Sequence, residues 1–422
     1  MHLGPHHAIW LIAAASIAGV IARPRQLPEA LWAVLGAFAL VAFSLIPIGE
    51  AWSAIRKGTD VYLFLTGMMV LAELARQEGL FDWLSAAAVK RANGSASALF
   101  ALVYLVGTVV TIFLSNDATA VVLTPAVFAA TQRANAPPMP YLFICAFIAN
   151  AASFVLPISN PANLVVFGAH VPSLPAWLAQ FGLASLTSIV VTYVVLRFTQ
   201  SSALRATIAA DSELPALSNG GRFAAGGIAV TAVILLVASG LDWPLGAPTC
   251  CAGIGTAGAI FLLTKRSPWR LLGDISWSVL PLVAGLFVLV QGMESTGVLM
   301  PAARFLSASS QAHESATALG LGVVAAFLCN VMNNLPLGLI AGSLSASAQL
   351  APALQDALLI GVDLGPNLSV TGSLATILWL VALRREGQDV SAWRFLLLGC
   401  LVMPPALLAA LATLLGSVHG WR

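Results

Sequence analysis

The stretch FLSNDATAVVLTP (113–125) decides how this chain folds. Eighteen mostly apolar residues lead into it and an apolar, helix-like run follows it. Yet Ser115, Asn116, Asp117 and Thr119 fall in the middle, where hydrocarbon would surround them. Polar and ionisable groups at that depth are costly, and where they persist they usually serve a site. The chain around them suits a bilayer: 59% of its 422 residues are hydrophobic, 9% are charged, and the mean hydropathy is +0.92. A soluble domain carries about 25% charged residues. About 20 apolar residues span a bilayer as a helix, so an all-α polytopic membrane protein follows. The net charge of +2 excludes nucleic acid as a partner. The start, MHLGPHH, lacks Lys and Arg, so no signal peptide is expected. The longest polar connection, about 199–222, leaves no room for a soluble domain.

Ten spans are read at about 8–22, 30–48, 61–77, 141–168, 183–198, 223–241, 246–264, 278–293, 356–383 and 394–417. Two more pairs of apolar runs, 96–133 and 315–351, double back around polar centres as helical hairpins. With the N-terminus outside, 15 of the 19 Lys and Arg fall on the inner side, Arg266 among them. The outer side keeps Arg56, Lys57, Arg304 and Arg422. Basic residues favour the cytoplasmic side, and ten spans is an even number, so both termini are expected outside a cell (inner) membrane.

The two halves resemble each other. TGMMVLAELARQEGL (66–80) laid over AGLFVLVQGMESTGV (284–298) pairs Gly67 with Gly285, Val70 with Val288, Leu71 with Leu289 and Gly79 with Gly297. The same offset of 218 carries Asn116 onto Asn334, within NVMNNLPLGL (330–339). The expected organisation is a first repeat over 1–198, a cytoplasmic linker over 199–222 and a second repeat over 223–422. Each repeat has five spans and one hairpin, and since five is odd the second copy is inverted. Inverted repeats with interrupted helices mark secondary transporters, whose sites lie near the midplane.

A helix with a polar, proline-containing interruption follows each hairpin: LPISNPANLVVFG (156–168) and GVDLGPNLSVTGS (361–373). Pro161 and Pro366 remove a donor each and are expected to open their helices, with Asn163 and Asn367 as a second symmetric pair. Freed backbone groups are tolerated at membrane depth only where protein or water satisfies them. Four half-helix ends therefore converge in this reading, and SND caps one at a hairpin tip. The residues expected to hold a solute are Ser115, Asn116, Thr119, Asn160, Asn163, Asn333, Asn334, Asn367, Ser369 and Thr371. Asn supplies donors and acceptors, which suits a small oxygen-rich solute.

Among the carboxylates, Asp117 and Asp363 lie deepest. A desolvated carboxylate can take up and release protons near neutrality, so these two are the proton-carrier candidates. Glu73 and Glu294 lie nearer helix ends, Glu73 within reach of Arg76 or Lys57. No Lys or Arg falls at the midplane, which disfavours a strongly anionic solute. The six histidines (2, 6, 7, 170, 313 and 419) sit at ends or loops, and no metal site or cofactor is expected. The five cysteines show no CxxC spacing. A thiolate site would need Cys145, Cys329 and Cys400 together, while free Cys is common as a small buried residue.

Four pieces carry a resemblance over about 60–385: LFDWLSAAAVKRANG (80–94), SNDATAVVLTP (115–125), MNNLPL (332–337) and, most specifically, GVDLGPNLSVTGSLATILWL (361–380). They resemble the ArsB arsenite-efflux family, within the ion transporter superfamily that also holds NhaD-type antiporters and dicarboxylate carriers. The resemblance implies export of arsenite and antimonite, as neutral trivalent hydroxides, in exchange for protons. In some hosts a soluble arsenical pump ATPase associates with such a carrier. Two stretches depart from the pattern. ANAAS (149–153) has Asn150 where an Asp is expected, which shifts weight to Asp117 and Asp363. SNPAN (159–163) stands where SNLVN is expected, which drifts toward sodium or anion carriers.

Arsenous acid has three hydroxyls and no charge at neutral pH, so amides, hydroxyls and backbone groups suffice to hold it. In this reading each hairpin and broken helix form a moving unit against a scaffold of the other helices. The stretches at about 81–92 and 301–310 act as amphipathic arms linking the two. The alternatives are a Na+/H+ antiporter or an anion carrier of the same fold, or a polytopic membrane enzyme. Sodium-driven proton movement without arsenite marks the first, and chemical change in a solute marks the last.

Overall fold

The computed structural model describes residues 4–168, 171–209, 214, 216–265 and 267–420. Arg266, Arg422, His2 and His170 lie outside them. The described chain is helical, and its one extended pairing is an isolated bridge between Ser95 and Thr207. Among the described residues seven helices are long and apolar enough to cross a membrane, eight if the pair Ile48–Lys57 and Thr59–Gln77, bent by 47°, counts as one span. Two of the seven, Ala96–Phe113 and Met300–Met332, begin the hairpins. The shorter Glu29–Ala42 and Val279–Ser295 and the two interrupted helices lie where four more spans are expected. Apolar side chains such as Phe198, Leu262 and Val331 face outward, where hydrocarbon would meet them.

The order of elements repeats. Pro5–Ala22 and Glu29–Ala42 correspond to Asn219–Gly240 and Gly246–Thr264, and Thr59–Gln77 corresponds to Val279–Ser295. Leu80–Ala92 and Ala96–Phe113 correspond to one 33-residue run, Met300–Met332, broken at His313 (φ −149°, ψ 71°). The expected hairpin start at 315 is thus a kink, with the arm and the preceding helix continuous. Met139–Ala151 and Pro352–Leu364 have 13 residues each and precede the two interruptions.

The glycines that align in sequence sit alike in space. Gly79 and Gly297 are both left-handed (φ 74° and 72°), a conformation glycine adopts without the Cβ penalty. Gly67 lies against the Thr249 backbone of Gly246–Thr264, and Gly285 against the Ala33 backbone of Glu29–Ala42. Each half thus docks its third span on the second span of the other half, and at both contacts a Cβ would strike backbone.

Two fully buried tryptophans are satisfied: Trp177 Nε1 donates to the Phe154 carbonyl (3.1 Å) and Trp379 Nε1 to the Leu142 carbonyl (2.9 Å). The connection at 199–222 packs on the base of the first hairpin. There the Ile208 amide donates to Gly94 (3.1 Å) and the Ala209 amide to Ala134 (2.8 Å); residues 210–213 and 215 lie outside the described set. Glu73 pairs with Arg76 (Nε–Oε2 2.8 Å), which also reaches Asp274 (2.8 Å), while Lys57 turns to Gln291 (2.8 Å).

Gly67→Val and Gly285→Val should each destabilise the protein by about 1–3 kcal/mol, the usual cost of overpacking. Thermal unfolding in detergent checks this against Gly182→Ala, whose Cβ meets open space.

Candidate functional site

Each hairpin turns on a strained, polar cap. Ser115 (φ 136°) precedes Asn116–Ala118, and its Oγ accepts from the Ala118 amide (3.3 Å). Asn333 (φ 72°) precedes Asn334–Ala348, and its Oδ1 accepts from the Leu335 amide (3.4 Å). Positive φ at non-glycine residues costs about 1–3 kcal/mol each and collects at functional sites. The first tip continues through a π-helical turn, Thr119–Leu123. Thr119 shares a hydrogen bond with Thr111 (2.8 Å), and Asn116 Oδ1 accepts from the Asp117 amide (2.9 Å). Asp117 is half-buried, and its carboxylate has no hydrogen bond among the described residues.

Each interrupted helix stops, makes a short 3-10 turn and restarts from a side-chain cap. The first runs Met139–Ala151, Pro157–Ser159 and Pro161–Phe167, where the Asn160 Oδ1 cap accepts from the Ala162 amide (3.0 Å). The second runs Pro352–Leu364, Gly365–Asn367, Val370–Gly372 and Leu374–Arg385, where the Ser373 Oγ cap accepts from the Thr376 amide (3.1 Å). The offset here is 213, Met139 onto Pro352, rather than the 218 of the hairpins. This corrects the expected pairing by proline. Pro161 is the first residue of a restarted half-helix, whereas Pro366 lies in a turn before the second restart. The counterpart of Asn160 is Ser373, that of Asn150 is Asp363, and that of Asn163 is Thr376. Asn163 and Asn367 are not mates.

The two breaks meet through these counterparts. Asn160 Nδ2 donates to Asp363 Oδ1 (2.7 Å), and at the related position Ser373 Oγ donates to Asn150 Oδ1 (3.4 Å). Asn150 Nδ2 donates to Asn367 Oδ1 (3.0 Å), and Asn367 Nδ2 to the Phe147 carbonyl (3.1 Å). Asn163 Nδ2 donates to the carbonyls of Ser153 (2.8 Å) and Leu156 (3.2 Å), freed by the first break. All six of these side-chain carriers are buried, and two of their oxygens, Asn163 Oδ1 and Asp363 Oδ2, have no hydrogen-bond partner among the described residues. Ser153, beside them, donates instead to the Asn150 carbonyl (2.7 Å). Two buried acceptors without donors attract whatever brings a proton, a hydroxyl or a cation.

The tips join this crossing in exchanged fashion. Half-helix Pro161–Phe167 packs on Asn334–Ala348, the second hairpin's return arm, and half-helix Leu374–Arg385 packs on the first tip, Asn116–Ala118 and Thr119–Leu123. The second tip also binds its own break. Asn333 Nδ2 donates to the Thr371 carbonyl (3.4 Å), Ser369 Oγ to Asn330 Oδ1 (2.6 Å) and Thr371 Oγ1 to the Asn330 carbonyl (2.9 Å). Ser159 Oγ donates to the Ile112 carbonyl (3.0 Å) in the first half. Asn116 and Asn334 are buried at the tips, but among the described residues no hydrogen bond joins the tips to each other or Asp117 to Asp363. No Lys, Arg or His takes part in the network. Asn330 and Thr111 were not among the expected residues. Each lies four residues or fewer before its tip, and helical spacing alone could have marked them.

Near one end of the helices a cavity of about 540 Å3 opens between the third spans and this unit. Lys57, Asp60, Gln291 and Glu294 line one wall; Leu164, Val165, Leu339 and Ser343 line the other. Ser343 Oγ donates to Glu294 across it. Cys145 and Cys329 are buried, Cys400 is exposed, and among the described residues no three His, Cys, Asp or Glu gather as metal ligands.

A family profile described as citrate transporter, CitMHS, matches residues 10–362. The arsenical pump membrane protein of Escherichia coli (strain K12) is 27% identical over 94% of this chain and 95% of its own. That of Yersinia enterocolitica is 28% identical over 90% and 91%. The YdaH transporter of Alcanivorax borkumensis, whose crystal structure has an unusual topology, superposes with a TM-score of 0.60 over 88% of both chains at 17% identity. The fold is therefore that of a membrane transporter, and the expected resemblance to arsenite-efflux proteins holds.

Asn160→Ala removes both a helix cap and the donor to Asp363. The cap alone is worth about 0.5–2 kcal/mol, and a buried acceptor left bare adds about 1–3 kcal/mol. Ser373→Ala removes the cap and a longer bond, so its melting temperature in detergent should fall less than that of Asn160→Ala.

Proposed function

The chain belongs to the CitMHS, citrate transporter, family, and from that premise we propose that it exports arsenite and antimonite in exchange for protons. It is a membrane transporter and not an enzyme; its family and relatives are transporters. The observation that carries the substrate class is the buried crossing of two broken helices, furnished with amides, hydroxyls and backbone groups and free of Lys, Arg and His. A dicarboxylate or phosphate would be held there with no cationic side chain. A neutral trihydroxide needs none, since each hydroxyl can donate to an Asn or carbonyl oxygen and accept from an amide N–H. The printed name of the relatives, arsenical pump membrane protein, supports the same class.

Asn116 and Asn334 at the tips, with Ser115, Thr119 and Asn333 beside them, contact the solute from either side. Asn160, Asn163, Asn367, Ser369 and Thr371 supply the breaks. Asp363 carries the exchanged proton within the crossing and Asp117 at the first tip. When Asp363 is protonated, its hydroxyl donates to a neighbouring oxygen; when it is ionised, Asn160 holds it. The two hairpins and broken helices travel as a unit past the glycine-packed scaffold. The protein lies in the inner membrane with both termini outside, and a soluble ATPase is a partner in hosts that have one.

A second reading, a Na+/H+ antiporter or anion carrier, is favoured by one observation. Asn163 Oδ1 and Asp363 Oδ2 are bare oxygens that a hard cation would accept, and the family's description names an anion. Everted vesicles distinguish the two. Arsenite uptake driven by a proton gradient supports the proposal; sodium-driven proton movement indifferent to arsenite replaces it. Arsenite-sensitive cells carrying this gene should accumulate less metalloid, and the Asn116→Ala and Asn334→Ala variants should restore accumulation. Asp117→Asn should abolish proton-coupled export in a folded protein, and wild-type export by that variant removes Asp117 as a carrier.

A further inference from the structure

Among the described residues, one buried carboxylate outside the crossing has no cation beside it. Asp356 is 3% exposed, on helix Pro352–Leu364, and its side-chain hydrogen bond comes from Gln180 Nε2 of Leu174–Thr199. Next to it Gln355 Nε2 donates to the Val166 carbonyl (3.3 Å), tying this end of the helix to half-helix Pro161–Phe167. A carboxylate buried without a cation is costly, and at membrane depth such a group is by default a functional one. Its counterpart in the first repeat is Phe143, so the repeat does not require it.

Its position suggests its use. Asp356 and Asp363 are seven residues apart on one helix, nearly the same face and about 10.5 Å along the axis. Asp356 is four residues from Pro352, about 6 Å from the helix start, where Pro352 is exposed and Ala351 half-exposed. It therefore stands between that end of the protein and Asp363, whose Oδ2 is bare. We propose that Asp356, oriented by Gln180, is an intermediate proton-binding site between that end of the protein and Asp363. This rests on the proton-exchange reading above. A hydronium ion at the helix start gives up a proton, one O–H bond breaking as another forms on the Asp356 carboxylate, and a water is left behind. The proton leaves Asp356 by the same exchange with water and ends on Asp363. Leu359 and Ile360, both fully buried, fill the intervening turn, so the described arrangement is closed to transfer, and the relay works in one that admits water.

The surroundings contain few competitors. Helix Pro352–Leu364 packs on Met300–Met332, Asn334–Ala348, Ala392–Gly420, Met139–Ala151 and Pro161–Phe167. Their charged or imidazole groups are Arg304, His313 and Glu314 on the first and Arg394 and His419 on the third; Leu174–Thr199 adds Arg197. Gly322 packs on the Ala357 carbonyl, which places exposed His313 and Glu314 about 12 Å outward of Asp356. The thiol of Cys329 is spent on the Val362 carbonyl (3.3 Å), and Cys145, Cys400, Tyr141 and Tyr193 complete the titratable set.

The test uses the purified full chain in proteoliposomes, read by an internal pH dye after arsenite addition and by labelled-arsenite counterflow at equal pH. Asp356→Asn should slow arsenite-evoked proton flux by about a hundredfold, the low end for a positioned proton donor, while counterflow continues. Asp356→Glu should restore proton flux, and Gln180→Leu should displace its pH profile. Wild-type proton flux in Asp356→Asn overturns the relay and leaves the exchange reading standing. Loss of counterflow in both Asp356 variants makes the residue structural and also overturns it. A wild-type protein that performs counterflow yet moves no protons when arsenite is added to one side overturns the exchange reading itself.

Discussion

The bond from Asn160 to Asp363, with its related bond from Ser373 to Asn150, is the constraint around which the molecule is arranged. Each joins the cap of one restarted half-helix to the stump of the other broken helix. A helix cannot be interrupted inside a bilayer unless its freed groups find partners. Here the two caps bond side chains of the opposite repeat, while freed carbonyls such as those of Ser153, Leu156 and Gly365 are met by Asn163 and Asn330 of their own repeat. The pair is also unequal. One stump ends in a carboxylate and the other in an amide, and only the carboxylate can change charge. A nearly symmetric frame thus holds one asymmetric, titratable point at its centre.

The rest of the structure keeps that centre in place. Asn163 and Asn367 spend their amide protons on carbonyls of the first interrupted helix. Hydroxyls of Ser159 and Thr371 fasten each break to the arm of its own hairpin. Outside this unit the third spans lie on the second spans of the opposite half, with Gly67 and Gly285 at the points where backbone meets backbone. Such contacts have no side chains to interlock, and the Ser343–Glu294 bond at the cavity reaches from a third span to the second hairpin.

Much of this was legible in the chain. Gly79 and Gly297 could be paired by eye because a left-handed turn restricts the residue to glycine, and the two tips because an amide at membrane depth is rare. Composition alone announced the helices. The breaks were paired wrongly because caps are chemically interchangeable: Asn and Ser both serve, so Asn160 and Ser373 share no letter. The offset falls from 218 to 213 because the second hairpin's return arm is three residues shorter and the connection after it two residues shorter, and Pro161 and Pro366, 205 residues apart, fit neither value. Asn150 looked like a lost carboxylate, whereas its place is the mate of a retained one. Asp356 escaped notice because four residues from a helix start a carboxylate reads as interfacial, and only packing against Gln180 reveals its burial.

Taken with the family and its arsenical-pump relatives, a neutral, hydroxyl-bearing solute held by amides between exchanged half-helices explains why the centre is polar without being cationic. The most direct test is anomalous diffraction from crystals of the protein soaked with antimonite, which locates the metalloid by its own scattering. The account predicts an antimony peak at the crossing, among Asn116, Asn160, Asn334 and the caps. A peak confined to the cysteines or to the outer cavity, with the crossing empty, would contradict it.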